Sequence, residues 1–268
     1  MREFSADYLR RTREGMWDDT RQALCGLSLE DRERVLDVGC GTGELSRVLV
    51  EETPAETTVI GCDVDTTLLA RASESVPVVA GDARRLPFPD DSFDLIVCQA
   101  LLINLPDPAA AVAEFARVSS DLVAAIEPDN SAVTIRSSVE GEPALASRAR
   151  DAYLDGVDTD VALGASARDA FESADLSVCG SARYDHDRSI EPPYDAAAVR
   201  SARRKASGAG LAEDRTTLLE GELTPEGYDD LRADWREMGR TVIAQMGERD
   251  YRRTETVPFY VTVGRVDD

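Results

Sequence analysis

Short apolar runs alternate with amphipathic segments along the first half of the chain. The run at 35–38 precedes a segment, 44–51, in which apolar residues recur at the spacing of one helical face. The same pairing continues with apolar runs at 57–65, 77–80, 94–98 and 122–126 and helical segments at 66–74 and 105–118. Because strands separated by helices form parallel sheets, this order predicts an α/β fold with helices on both faces of the sheet.

The second half of the chain predicts two more strands. A helical segment at 162–173 precedes an apolar run at 176–184, and alternation at 256–266 predicts the last strand. The sheet is then doubly wound, mostly parallel and seven-stranded. Residues from about 186 to 254 have the pattern of helices, which predicts an insertion between the last two strands. We therefore expect an N-terminal helical segment at 1–34 and one α/β domain at 35–268 that contains this insertion.

A glycine-rich turn, GCGTG, follows the first predicted strand. A dinucleotide-binding turn has the pattern GxGxxG, whose third glycine leaves room for a pyrophosphate. Here Glu44 stands at that third position and Asp37 precedes the turn, so two carboxylates border the place of a diphosphate and would repel it. A ligand that carries an ammonium and a sulfonium group suits this turn better. A turn without any ligand is the remaining alternative.

Acidic residues also follow the second and third predicted strands. Asp63 lies about twenty residues beyond the glycines, where nucleotide-binding α/β proteins place a carboxylate on the ribose hydroxyls. A solvated acid at a strand end is the alternative for Asp63, whereas Asp65 is better placed to cap the next helix. Asp82 can accept from an adenine amino group, and the Ala83 amide can donate to a ring nitrogen. These positions predict a nucleoside site.

Two motifs resemble those of the class I S-adenosylmethionine-dependent methyltransferases. DVGCGTG at 37–43 resembles their first motif, and GDA at 81–83, followed by LPFPDDSFDLI at 86–96, resembles their third. The resemblance, which weakens from Ser131 onward, implies a Rossmann-like fold, S-adenosyl-L-methionine as cofactor and methyl transfer as activity. It implies cofactor contacts from Asp37, Gly39, Cys40, Gly41, Asp63, Val64, Asp82, Ala83 and Gln99.

Polar residues beyond the fourth and fifth strands predict the acceptor side of this site, where open α/β sheets bind ligands. The candidates are Asn104, Glu127, Asp129, Asn130 and, in the insertion, Tyr194. Turn chemistry is an equal alternative for 127–130, since Asp and Asn beside Pro favour turns. The resemblance also implies an N-terminal lid with Tyr8, Arg13 and Trp17, although ordinary helix packing is the preferred reading of those residues.

No catalytic residue is required by the predicted reaction. A sulfonium is an activated leaving group, so positioning and electrostatics can supply most of the acceleration. His186, the single histidine, is a candidate general base just past the sixth strand. In the insertion, the aromatic and basic residues to examine beside Tyr194 are Arg203, Arg204, Tyr228 and Trp235. We expect the insertion to cover the acceptor.

A small-molecule acceptor is favoured, because the insertion could close a pocket and no nucleic-acid-binding module is evident. The chain also lacks the NPPY run of the amide and exocyclic-amine methylators that it otherwise resembles. An alternative is a tRNA or protein methyltransferase whose small zinc-binding activator lies along the strand edge at 76–79. A non-catalytic cofactor-binding scaffold is another. A NAD-linked dehydrogenase is disfavoured by Glu44.

The composition indicates a salt-adapted protein. The net charge is −22, and Lys205 is the single lysine among 30 basic residues, a pattern that we expect of a halophilic archaeon. Arg200, Arg203, Arg204 and Lys205 nevertheless form a basic cluster, so a nucleic-acid partner stays open. The five cysteines lack CxxC spacing, which disfavours disulfides and zinc, and we expect them to be buried. No signal peptide or long apolar span is evident, so we expect a cytoplasmic protein without membrane contact.

The charge balance predicts that salt stabilises the folded protein. With 52 acidic against 30 basic residues, self-repulsion is unscreened when the Debye length reaches about 30 Å at about 0.01 M salt. Raising potassium chloride to about 1 M should add a few kcal/mol, or roughly 5 to 10 °C in melting temperature. The melting temperature measured across a potassium chloride series checks this expectation. A salt-independent melting temperature would contradict it.

Overall fold

The computed structural model describes residues 16–17 and 21–267, which divide into two compact units. The first unit is Met1–Asp129, Leu163–Asp185 and Pro258–Asp268, and the second is Asn130–Ala162 and His186–Val257. The second unit therefore contains the predicted insertion and also residues 130–162, for which no element was predicted. Tyr8 and Arg13, the predicted lid residues, lie outside the described part of the chain, and the role of the insertion as a cover stays a prediction.

Eight strands form one sheet in the order β3-β2-β1-β4-β5-β8-β6, with β7 also paired to β8. Their bounds are β1 (Arg34–Val38), β2 (Thr58–Asp63), β3 (Val78–Ala80), β4 (Phe93–Gln99), β5 (Ser119–Pro128), β6 (Thr134–Ser137), β7 (Ser177–Ile190) and β8 (Arg253–Arg265). Strands β1 to β5 pair in parallel, and β8 pairs antiparallel with β5 and β6. The mostly parallel α/β class is confirmed. Strand β6 is additional, since TIRS has too little apolar content to predict a strand.

Nine α-helices are present in the described residues, and they are interspersed with the strands along the sequence. They are α1 (Glu44–Glu52), α2 (Thr66–Ala72), α3 (Pro108–Val118), α4 (Glu142–Gly156), α5 (Ala167–Ser173), α6 (Ala196–Ser207), α7 (Ala209–Glu213), α8 (Arg215–Glu220) and α9 (Pro225–Gly247). Asp65 caps α2 as predicted, because its carboxylate accepts from the amides of Thr67 and Leu68. Asp107 caps α3 in the same way through Ala110.

The core of the first unit lies between its parallel strands and the helices packed on them. Ile96 on β4 and Val123 on β5 are fully buried, as are Phe115 on α3 and Phe171 on α5. Parallel strands that are covered on both faces read as continuous apolar runs, which is why 94–98 and 122–126 were predictable. This packing holds the carboxyl ends of the strands in fixed positions for the site described below.

The core of the second unit depends on close contact between α6 and α9. A Cβ atom on Gly239 would lie 2.3 Å from the backbone nitrogen of Ala206, so no larger residue fits at this crossing. Tyr228 and Trp235, which the sequence offered as acceptor contacts, pack on the apolar clusters of this unit instead. Tyr228 also donates its hydroxyl to the carbonyl oxygen of Leu211 at 3.1 Å. Their aromatic spacing therefore reflects helix packing.

Lys205 lies in a buried ion cluster of the second unit and not in an open basic patch. Its ammonium pairs with the Glu142 carboxylate and lies 3.2 Å from the Tyr251 hydroxyl, while the Arg253 Nε atom is 3.4 Å from Glu142. Burial raises the pKa of Glu142, but Lys205 and Arg253 outweigh burial and hold it below its ordinary value. Arg204 pairs with Glu213 on the surface. The basic cluster predicted at 200–205 is thus partly consumed by internal ion pairs.

Three of the five cysteines are buried as predicted, and two are not. Cys40, Cys62 and Cys98 lie at the carboxyl ends of the central strands, where burial raises the pKa of each thiol, to about 12 for Cys62. Cys25 and Cys179 are exposed. Within the described ranges no cluster of His, Cys, Asp and Glu side chains could hold a metal ion. No helix of that part is long and apolar enough to cross a membrane.

Lys205 should not tolerate replacement by the arginine used everywhere else in this chain. A guanidinium is larger than an ammonium, and overpacking between Glu142 and the Tyr251 ring should cost about 1 to 3 kcal/mol in Lys205→Arg. Arg204→Lys is the matched control, because its exposed ion pair should change stability by less than about 1 kcal/mol. Chemical denaturation measures both, and equal midpoints for the two variants would contradict the account.

Candidate functional site

The glycine turn between β1 and α1 is tied to the end of β2. The amides of Gly39 and Cys40 donate to the Cys62 carbonyl oxygen at 2.7 and 3.1 Å, and the Gly41 amide donates to Asp63 Oδ2 at 2.9 Å. Gly39, Gly41 and Gly43 all have positive φ angles, of 71°, 57° and 82°. The turn is therefore held in a left-handed conformation that brings bare backbone to the carboxyl end of the sheet.

Steric crowding also requires a residue without a side chain at Gly39. A Cβ atom at this position would lie 2.8 Å from Cδ1 of Leu101, which belongs to the loop after β4. Leu101 therefore packs directly on the turn. The sequence did not single out Leu101, because an apolar residue after an apolar strand carries no pattern that separates it from the core.

Asp63 lies where a ribose-binding carboxylate was predicted. Its Oδ2 atom accepts from Gly41 and its Oδ1 atom from the amide of Asp65, both at 2.9 Å. A carboxylate has about four lone-pair sites, so two remain for ligand hydroxyls. The next side chain, Val64, is 49% exposed and is one of few large apolar side chains left open in the described residues. Together they present a polar and an apolar contact at the end of β2.

Asp37 and Glu44 border the turn in different ways. Asp37 is buried, and Ser46 donates its hydroxyl to Asp37 Oδ2 at 2.5 Å, which joins β1 to α1. The Oε1 atom of Glu44 accepts from the Thr42 hydroxyl at 2.5 Å. Its Oε2 atom is buried without a partner among the described residues. Such an atom is rare in folded proteins, and it fits a site that is completed by a cationic ligand group.

Buried polar side chains also follow β4. Gln99 and Asn104 are nearly inaccessible, and Gln99 donates its Nε2 to the Met16 sulfur at 2.7 Å. Asn104 donates Nδ2 to the Ala100 carbonyl oxygen at 2.8 Å, while its Oδ1 has no partner within the described ranges. The Nε1 atom of buried Trp17 also lacks a partner there. Trp17 Nε1 is an unpaired donor, and Asn104 Oδ1 and Glu44 Oε2 are unpaired acceptors. Unpaired atoms of both kinds fit a ligand that has both acceptor and donor groups.

The turn after β3 is ordered by an ion pair. Arg84 donates to both oxygens of Asp82, at 2.7 Å from Nη2 and 3.1 Å from Nε, and this lowers the pKa of Asp82. The carboxylate stays ionised and partly exposed, so it keeps lone pairs for an amino group. Ala83, its neighbour, is buried. The predicted adenine contacts are thus sterically reasonable and stay a prediction.

Glu127 has a different place from the one predicted. It is fully buried, and its carboxylate accepts from the amides of Leu101, Leu102 and Ile103 at 3.0, 2.9 and 3.3 Å. A side chain in this position cannot touch an acceptor, because the loop it binds lies over it. Burial raises the pKa of Glu127 to about 7. The only signal in the sequence was one acidic residue directly after a fully apolar strand.

The remaining acceptor candidates each have a partner within the described residues. The amide of Asp129 donates to the Pro258 carbonyl oxygen at 2.9 Å. Asn130 donates Nδ2 to the Val161 carbonyl oxygen at 2.6 Å, a contact across 31 residues that is not the local hydrogen bond of a turn. Tyr194 donates its hydroxyl to the Tyr251 carbonyl oxygen at 2.9 Å and packs on the second unit's core.

His186 is buried in the second unit, and burial lowers its pKa below the ordinary value, so it is neutral near pH 7. A neutral imidazole can accept a proton. The role predicted for His186 stays a prediction.

Residues 36–121 match a family model described as a methyltransferase domain. The chain is 31% identical over 134 residues to the demethylmenaquinone methyltransferase of Lactiplantibacillus plantarum, which covers 47% of this chain and 54% of that protein. It is 42% identical over 94 residues to the phosphatidylethanolamine N-methyltransferase of Cereibacter sphaeroides, 32% of this chain and 44% of that one. The chain thus spans about half the length of such relatives or less, and the matched part contains the glycine turn.

Solved structures show the same fold over nearly the whole chain. A putative methyltransferase of Bacillus halodurans superposes with a TM-score of 0.54 at 17% identity, covering 94% of this chain and 100% of that one. The putative methyltransferase of Haloferax volcanii, solved in complex with the Trm112 methyltransferase activator, gives 0.55 at 18% identity, covering 98% and 96%. The fold is therefore the Rossmann-like methyltransferase fold.

The Gly39 contact predicts a double-mutant test. Gly39→Ala should cost about 2 to 4 kcal/mol, from a left-handed alanine and from the clash with Leu101. In a Leu101→Ala background the same change should cost only about 1 kcal/mol, since the clash is gone. Urea denaturation of the four proteins measures the coupling. Additive costs would show that Leu101 does not pack on the turn.

Proposed function

We propose that this protein is an S-adenosyl-L-methionine-dependent methyltransferase. The observation that carries the proposal is the junction of the glycine turn with Asp63, where bare glycine backbone, a carboxylate with free lone pairs and the exposed Val64 side chain meet. The matched family segment, 36–121, includes all of these residues. A nucleoside with a sulfonium amino-acid chain fits this donor set better than a diphosphate, because Asp37, Glu44 and Asp63 surround the turn.

The residues of the site fit the parts of this cofactor. Asp63 would hold the ribose hydroxyls, Val64 and the Asp82–Ala83 turn the adenine, and the backbone of Gly39 and Gly41 with Gln99 the amino-acid end. The cofactor supplies an electrophilic methyl group on sulfur. The chain's own residues bind and orient, and the apolar Leu101 and Leu102 exclude water from the end of β4. The chemistry therefore rests on positioning rather than on a proton-transfer residue.

A small-molecule acceptor is the favoured substrate class. The support comes from the names of two curated relatives, a demethylmenaquinone methyltransferase and a phosphatidylethanolamine N-methyltransferase. The alignments with these relatives cover less than half of this chain, so acceptor contacts are not transferred from them.

A second candidate is an enzyme that needs a small zinc-binding activator for a tRNA or protein substrate. Strand β3 stands at one end of the strand order in the described sheet, so its outer edge could pair with another chain. The Haloferax volcanii neighbour was solved with such an activator. Co-purification of this chain with the Trm112 protein tests this candidate, and two separate peaks in size-exclusion chromatography would remove it.

Calorimetric titration tests the proposed cofactor directly. S-adenosylmethionine and S-adenosylhomocysteine should bind to the protein in molar potassium chloride, whereas NADH should give no heat of binding. The same preparation can then be assayed for transfer of a radiolabelled methyl group to quinone, lipid and RNA acceptors. Binding of NADH without binding of S-adenosylhomocysteine would overturn the proposal.

Asp63→Ala should weaken S-adenosylmethionine binding by roughly 1.5 to 3 kcal/mol, the usual range for hydrogen bonds to a charged group. Asp65→Ala is the matched control. It removes the α2 cap and about 1 kcal/mol of stability, but it keeps the backbone amide that bonds Asp63. Calorimetry measures both affinities. If both variants bind as the parent does, the ribose assignment is wrong.

A further inference from the structure

We propose that Glu127 is a positioning residue of the cofactor site, which holds the loop at 101–103 and thereby sets Leu101 against the glycine turn. The ligand in this inference rests on the proposed function, but the positioning itself concerns the protein alone. Glu127 touches no ligand. It acts through three backbone amides of a loop that packs on the glycine turn.

The backbone turns sharply after β4, and the amides of the loop that follows need hydrogen-bond acceptors. Ala100 has a φ angle of 48°, a left-handed conformation that is uncommon for a residue with a side chain. The short 3-10 helix Leu102–Asn104 follows at once, and its first amides have no partner within the helix. Glu127 supplies that partner from β5, with Oε1 on Leu101 and Leu102 and Oε2 on Ile103. One carboxylate thus orders three successive amides.

The loop contacts the glycine turn through Leu101. Leu101 contributes both an amide to Glu127 and a side chain that packs on Gly39. Gly39 in turn donates its own amide to the Cys62 carbonyl oxygen at the end of β2. The path from Glu127 to the cofactor turn therefore consists of one hydrogen bond and one apolar contact. A loop that moved away would open the turn on the side of β4.

The Glu127 carboxylate accepts from these amides and from the Cys98 thiol on β4, whose sulfur is 3.8 Å from Oε1. No basic side chain pairs with it in the part of the chain that the structure describes. Tyr260 on β8 is its register partner, and Asp37 on β1 interacts with Cys98. Cysteine, tyrosine and aspartate carry no positive charge, so these groups give no cationic support to the carboxylate.

Protonation of Glu127 should therefore loosen the loop. Protonation removes the charge and turns one lone-pair site into an O–H donor, so the hydrogen bonds from the three amides are no longer charge-assisted and become weaker. With its pKa near 7, this change falls in the neutral range. The effect on global stability has the opposite sign. Because the folded pKa lies above the ordinary carboxyl value, stability falls as pH rises towards 7 while the loop becomes more ordered.

Two readouts in the full chain test the proposal, and the first needs no ligand. Between about pH 6 and about pH 8, hydrogen-exchange protection of the Leu101, Leu102 and Ile103 amides should rise about tenfold, as for one pKa unit of coupling. The affinity for S-adenosylhomocysteine should rise by a similar factor. In Glu127→Gln both quantities should be low and independent of pH, whereas global stability should no longer decline towards pH 7.

Glu114→Gln is the matched control. Glu114 also holds a backbone amide, but that amide belongs to Leu86, at 2.7 Å, and its carboxylate pairs with Arg117. This variant should keep the protection and affinity profiles of the parent. Parental protection and affinity in Glu127→Gln would overturn the inference. If Glu127→Gln does not fold, pH-independent protection in the parent overturns it. A parent that binds no cofactor refutes the proposed function, while the exchange readout still decides on Glu127.

Discussion

The hydrogen bond from the Gly41 amide to Asp63 is the interaction on which the site depends. It closes the gap between the ends of β1 and β2, and it fixes a left-handed glycine turn whose backbone faces the carboxyl end of the sheet. Parallel strands alone would bring these ends together only to within a few ångströms. The carboxylate keeps about two lone-pair sites beyond those that bond its backbone partners, and the proposed ribose contact would use them.

Two buried glutamates differ in how the surrounding groups compensate the charge of the carboxylate. Glu142 in the second unit is surrounded by Lys205, Arg253 and the Tyr251 hydroxyl, which keep its pKa low despite burial. Glu127 in the first unit has three backbone amides and the Cys98 thiol but no cation among the described residues, and burial raises its pKa. The first arrangement keeps its charge across the ordinary pH range. The second can gain or lose a proton near neutrality, and its partners belong to the ligand loop.

The sequence predicted the first unit much better than the second. The buried parallel strands are continuous apolar runs, and Asp65 was recognised as a cap because its position relative to a helical pattern is a local signal. The glycine turn and Asp63 were predictable for the same reason. Glu127, Asn130 and Tyr194 were misplaced, since their partners lie far along the chain and nothing local distinguishes a buried brace from an exposed ligand contact. Helix α4 and strand β6 were missed, because their burial arises only when 130–162 packs with the insertion.

A crystal structure of the protein with S-adenosylhomocysteine tests whether Asp63, while bonded to Gly41, binds the ribose of the cofactor. Both ribose hydroxyls should lie on the Asp63 carboxylate, the adenine ring against Val64, and the amino-acid end beside Gly39 and Gln99, with the Gly41–Asp63 hydrogen bond retained. Density for the ligand at any other place, or at this place with Asp63 bonded only to its own backbone partners, would contradict it.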